Sequence, residues 1–303
     1  MAYLFLAILS SSMIAFLFKF AENRQMNPYV ITSANYFIAA MISLFLILKN
    51  QLLNDLVKGP SFFKEWSLLL SNEQTLLSPY NSVLWGLGIG LISGIFFFSS
   101  FLYYQISVKE NGVSLSGTFS KLGILIPMIF SIFIWKEYPS PIQWLGILLS
   151  LVSILIVNLS RESLKSFNLN KTILLLFFLG GIAEFSNKIY QKYALNYYKE
   201  VFLLAVFLSA FLISFIYANK KGSKWKLKEI LTGFAVGIPN LFSSYFLILS
   251  LDTIPTSVAF PIFSAASIVL INIGGFLIFK EKIATKDKWA IVLVILALIL
   301  INI

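Results

Sequence analysis

Side chains able to do chemistry are scarce in this 303-residue chain, which has no His and no Cys. That removes the commonest general base, thiolate nucleophiles, disulfides and the usual transition-metal ligands. The candidates this leaves within the apolar sequence are Lys121 and Glu184, then Asn240, Ser120, Ser264, Ser244, Tyr245 and Asn187. A charge in the apolar layer of a membrane costs roughly 2.5–3.5 kcal/mol or more, so the first two carry most weight. Lys121 has Gly117 and Leu125 one turn away and therefore no charged neighbour on its own helix. It either faces a water-filled cavity, where it holds a carboxylate, or pairs with Glu184 across the bundle. Glu184 precedes Lys188 by four residues, the favourable order for a local ion pair. The alternative is that Glu184 titrates or binds a cation. One well-embedded carboxylate does not make an acid, base or metal constellation, so no enzyme, cofactor or metal is expected. No phosphate-binding GxxxxGK[ST] loop is present, so ATP-driven transport would need a separate subunit.

The elements that must position these residues follow from composition. The chain is 58% hydrophobic and 12% charged, against about 25% charged in soluble domains. It therefore reads as an all-α polytopic membrane protein. A membrane helix needs about 20 mostly apolar residues, and ten such runs can be drawn. They are Ala2–Phe20, Tyr29–Leu48, Ser82–Gln105, Gly112–Trp135, Ile142–Leu159, Thr172–Tyr190, Val201–Asn219, Ile230–Leu249, Thr256–Phe279 and Trp289–Ile303. Several are apolar on every face, which excludes the strict alternation of barrel strands. The first run lacks a basic leader region, so it is expected to be a retained helix. The long connection, residues 49–81, contains SFFKEWSLLL (residues 61–70), which is either a helix lying in the interface or a disordered loop.

The halves of the chain resemble each other. Lys136-Glu137 and Lys280-Glu281 lie 144 residues apart, and the same offset places Ser120 on Ser264. An offset of 147 places Gly86 on Gly233 and Gly90 on Gly237; an offset of 169 places Lys19 on Lys188 and Asn27 on Asn196. Two five-helix units, residues 1–160 and 161–303, follow. Five is odd, so the second enters the membrane from the opposite side. Such an inverted repeat puts a transporter's substrate site near the midplane between halves.

Ten helices in two units, with a basic-Glu pair closing the fourth helix of each, resemble the drug/metabolite transporter superfamily, and within it the EamA-type permeases. The family's fourth-helix proline is matched by Pro127 in the first unit; the corresponding position in the second is Ile271, and Pro261 sits earlier. The resemblance implies secondary transport, often export of amino acids or other small metabolites. The small multidrug-resistance relatives carry an embedded Glu in the first helix. Here that region reads Ser10–Ser12, so cation antiport by that carboxylate is disfavoured. Organic cations, drugs or nucleotide-type metabolites are the alternative cargo, and a channel or structural membrane protein is the alternative class.

Glycines at Gly86, Gly90 and Gly94, and the stripe Gly233, Gly237, Asn240, Ser244, each lie on one helical face. Tight helix packing explains both; a sharper reading has the Asn240–Tyr245 end lining a cavity. Pro127 and Pro261 each free a backbone carbonyl, as a gating kink or a structural one. The net charge of +10 suits anionic headgroups and cytoplasmic loops rather than nucleic acid. Expected partners are a small-molecule substrate and the bilayer, with the chain a monomer or homodimer in the cell membrane. Counting Lys and Arg in alternate connections puts both termini outside. The family puts both inside, and the reading follows the family.

Overall fold

The computed structural model describes residues 1–54, 56–71, 76–158, 171–279 and 285–301. Among them every regular element is helical. In chain order these are α1 (Ala2–Asn23), α2 (Pro28–Lys49), α3 (Phe62–Leu70), α4 (Pro79–Leu122), α5 (Leu125–Trp135), α6 (Pro141–Asn158), α7 (Lys171–Tyr193), a 3-10 turn (Asn196–Tyr198), α8 (Lys199–Lys220), α9 (Leu227–Ser250), α10 (Thr256–Phe279) and α11 (Thr285–Ile301). Local chemistry sets several starts. Asn27 caps α2, accepting from the Tyr29 N–H at 3.0 Å, with Pro28 at the first helical position. Ser140 and Gln143 form a reciprocal capping box at α6.

Seven helical segments among the described residues are long and apolar enough to cross a membrane. Three shorter apolar ones, Phe119–Trp135, Pro141–Ile156 and Lys288–Ala297, fall on the expected fourth, fifth and tenth runs. The fourth is broken at Gly123–Ile124. Pro127 has no N–H to give the Gly123 carbonyl, which accepts instead from Ile126 N–H at 3.0 Å.

The expected connection between the third and fourth runs lies inside α4, whose helical assignment does not lapse there. The chain nevertheless reverses. Ser107 Oγ and Ser116 Oγ are 2.7 Å apart, whereas nine residues of straight helix advance about 13.5 Å. Ser100 and Gly123 likewise approach the adjacent Gly180 and Gly181 of α7. α4 is thus two arms, as the two runs require.

The helices fall into two compact units. One comprises Met1–Phe16, Ser99–Phe185 and Ser250–Ile303. In it α10 packs on α5, α6 and α11, and α6 packs along α11, burying Ile147, Ser150, Ser153 and Ile154 on α6 and Ala290, Val294 and Ala297 on α11. The other comprises Leu17–Phe98 and Ser186–Leu249. Its main contact is α2 against α8, with Tyr36 stacked on Phe207 at 6.3 Å.

Glycines let backbones approach in the second unit. A Cβ on Gly90 would meet Ala205 Cβ at 2.7 Å, Phe202 O at 2.7 Å and Val206 N at 3.2 Å. A Cβ on Gly233 would meet Ala34 Cβ at 2.5 Å, Ile31 O at 2.6 Å and Asn35 N at 3.2 Å. The two triplets share one pattern, displaced by 171 residues between α2 and α8. The packing register therefore matches Gly90 with Gly233 and Gly94 with Gly237, an offset of 143. The sequence alignment at 147 was one helical turn out, because glycines four apart on one face align equally well either way. In the first unit one contact recurs at offsets of 169 and 144. Ser12 Oγ lies 3.4 Å from the Ser267 carbonyl oxygen. At the matched positions, a Cβ on Gly181 would meet the Gly123 carbonyl oxygen at 2.5 Å.

The long connection carries α3 where the sequence admits a helix. Phe62 and Trp66 pack on Trp85, and Trp66 also on Tyr193. Phe63 and Leu70 are largely exposed on the other side. Glu65 Oε2 accepts from the Ser78 N–H at 2.9 Å. Burial alone would raise the Glu65 carboxyl, but hydrogen bonds from Asn81 and Ser78 outweigh it and hold it below its ordinary value.

Candidate functional site

In the first unit, Lys121 ends α4 in its last turn, just ahead of the Gly123–Ile124 break. It is half-buried, and among the described residues Glu184 on α7 is the charged group that acts on it. The close approach of Gly123 to the backbone of Gly181 and Phe177 brings these two helices together there. Ser120 is half-buried beside Lys121. Ser264 is buried on α10, and its Oγ has no hydrogen-bond partner among the described residues.

Asn187, Asn240, Ser244 and Tyr245 belong to the second unit. Asn187 is fully buried near the end of α7. Asn240 follows Pro239, inside α9, and its Nδ2 donates to Asn35 Oδ1 of α2 at 3.0 Å. Ser244 is buried, and the ring of half-buried Tyr245 carries the Lys199 ammonium 4.5 Å from its centroid. Lys199 also meets Glu200 Oε1 at 3.2 Å, a pair almost wholly buried at the start of α8.

Sequence reasoning missed Asn35 and the Lys199-Glu200 pair. A lone Asn at the seventh position of an apolar run was the available signal for the first. Lys199-Glu200 sits at a helix start, where charge is ordinary, and nothing in the sequence marks it as buried. The Lys136-Glu137 motif has a structural job. Lys136 takes the left-handed conformation (φ 55°) that ends α5, and Glu137 turns to the start of α10. There its Oε2 accepts from the Thr256 N–H at 2.6 Å, and its carbonyl accepts from Ser257 Oγ at 3.0 Å. Lys280 and Glu281 lie outside the described residues.

Residues 1–159 match the EamA-like transporter family, over half of the chain. The chain belongs to that family. Residues 222–296 also match the Small Multidrug Resistance protein family. An uncharacterised membrane protein of Bacillus subtilis (strain 168), YvaE, is 35% identical over 81 residues, covering 24% of this chain and 68% of YvaE. A solved structure described only as the crystal structure of a protein superposes with a TM-score of 0.69 at 17% identity, covering 99% of this chain and 96% of that one. At that identity the likeness shows the fold. The EamA family and the apolar helices make this protein a multi-pass membrane permease and not an enzyme.

Proposed function

We propose that this permease is a secondary transporter of a small polar metabolite, an amino acid or a related compound, exporting it by alternating access. In this reading residues 1–160 and 161–303 are two inverted five-helix repeats. The matched contacts carry it: Gly90 on α8 repeats Gly233 on α2, and Gly181 on Gly123 repeats Ser12 on Ser267. Packing of α5 on α10, α6 on α11 and α2 on α8 adds support, since each pair joins corresponding runs of the two halves. Alternating access exchanges two arrangements of such repeats around one site.

Lys121 and Glu184 are the residues proposed to hold substrate, with Ser120 and Ser264 as further candidates in the same unit; Asn187, Asn240, Ser244 and Tyr245 are the candidates in the other. An ammonium and a carboxylate within electrostatic reach of one another complement the two charges of an amino acid. Organic-cation cargo draws support from the Small Multidrug Resistance match; it would leave Lys121 without a use.

The test is exchange of labelled amino acids in proteoliposomes. Exchange is expected from the native protein, with a loss of at least tenfold in Lys121→Ala. Unchanged exchange in that variant would remove Lys121 from the site. Exchange of organic cations alone would replace the substrate class.

A further inference from the structure

From the Asn35–Asn240 amide pair, we propose that this permease recognises substrates carrying an amide, or an equivalent edge with one hydrogen-bond donor beside one acceptor. The proposal rests on the permease reading and names the substrate class within it. Asn35 lies about 10 Å along α2 from Pro28, and Asn240 about 20 Å along α9 from Leu227, so both are well inside their helices.

Two side-chain amides offer two NH2 groups and two carbonyl oxygens. The one bond between them, Asn240 Nδ2 to Asn35 Oδ1, leaves one NH2 and one oxygen. Turning both amides over leaves the same surplus. That bond is the one side-chain hydrogen bond either amide makes among the described residues; Asn35 is buried and Asn240 half-buried. A donor and an acceptor on two paired amides match the C=O and N–H of a third amide. A carboxylate, which offers acceptors only, leaves the free oxygen facing a like partner. The same half of α2 adds Thr32 and Ser33, which are buried with hydroxyls unpartnered among the described residues.

Interhelical asparagine pairs also serve simply to hold helices together in lipid. The protein's own second copy of this contact argues against that use. At the register of the packing, 171 between α2 and α8 and 143 between α4 and α9, Asn35 corresponds to Val206 and Asn240 to Phe97. The glycine contact beside Val206 is as close as the one beside Asn35. There the helices pack with no amide at all. Phe97 instead packs on Phe207, and its carbonyl lies 3.4 Å from Tyr36 Oη. Helix association therefore does not require the asparagines.

The experiment measures counterflow in proteoliposomes of labelled glutamine, asparagine and uracil, against glutamate, aspartate and serine. The native protein should move at least one amide-bearing compound ten or more times faster than its counterpart. Asn35→Val/Asn240→Phe installs the residues found at the matched positions. It should remain monodisperse in detergent and lose that preference at least tenfold. If it does not fold, Asn35→Asp, which deletes one amide, is expected to lose the preference equally. Serine or glutamate moving as fast as the amides in the native protein overturns the proposal and leaves the permease reading standing. The preference surviving in the folded variants overturns it as well. No movement of any compound overturns both.

Discussion

Gly90→Ala adds one methyl where the structure has no room. Its Cβ would sit 2.7 Å from Ala205 Cβ and 2.7 Å from the Phe202 carbonyl oxygen. Ordinary contact begins near 3.4 Å, so about 0.7 Å must be found, and it cannot come from a flexible side-chain end. Backbone and a Cβ are what it meets, so α4 must move off α8 and loosen neighbouring contacts. Overpacking of this kind costs typically 1–3 kcal/mol. Gly88, two residues earlier on the same helix, is the internal control, because a Cβ there meets nothing within 4 Å. Gly88→Ala should be neutral or up to about 1 kcal/mol stabilising, from helix propensity alone. Gly233→Ala meets the same pattern of atoms as Gly90→Ala and should cost about the same. The assay is thermal unfolding of purified protein in detergent. At roughly 2 °C per kcal/mol for a chain of this size, midpoints should fall about 2–6 °C for Gly90→Ala and Gly233→Ala. Equal midpoints for Gly88→Ala and Gly90→Ala would refute the packing argument. A large effect at Gly90 with none at Gly233 would refute the matched register.

Three further outcomes follow. Glu137→Ala removes the acceptor at the start of α10 and should cost about 1–2 kcal/mol, read as a lowered midpoint; an unchanged midpoint would show that the cap contributes nothing. Glu200→Ala leaves Lys199 buried with its countercharge gone and should cost about 3–5 kcal/mol, with the double variant Lys199→Met/Glu200→Ala recovering part of it. Glu65 titrates below its ordinary value, so its stabilising contribution is complete above the unfolded carboxyl value, about 4.3, and is lost as pH falls through the lowered folded one. The midpoint gap between native protein and Glu65→Gln should therefore be constant at neutral pH and narrow in acid; a gap that widens as the pH falls below about 4.3 would contradict the clamp.

Seven of the ten expected runs fall on helices long and apolar enough to cross a membrane, because lipid demands long apolar runs, and Thr256–Phe279 coincides with α10 at both ends. The sequence shows Pro127 as a kink but not where the helix breaks, at Gly123–Ile124, four residues before the missing N–H. The glycine faces were legible, but their register was not, since spacing by four makes a one-turn slip invisible until the opposing atoms are known. Of the candidate site, Lys121 and Glu184 stood out by charge alone, as the two embedded charges. Asn35 did not, because a neutral amide in an apolar run has meaning only beside Asn240. Lys199-Glu200 was hidden for the converse reason: charges at a helix start are normally solvated, and only folding buries these.

The absence of cysteine allows the central claim, oppositely inserted repeats, to be tested by single-cysteine labelling in sealed membranes. Gln25 and Tyr197 are exposed and lie in corresponding connections of the two halves. Gln25→Cys and Tyr197→Cys should react with a membrane-impermeant maleimide from opposite faces. Labelling of both from the same face would contradict the account.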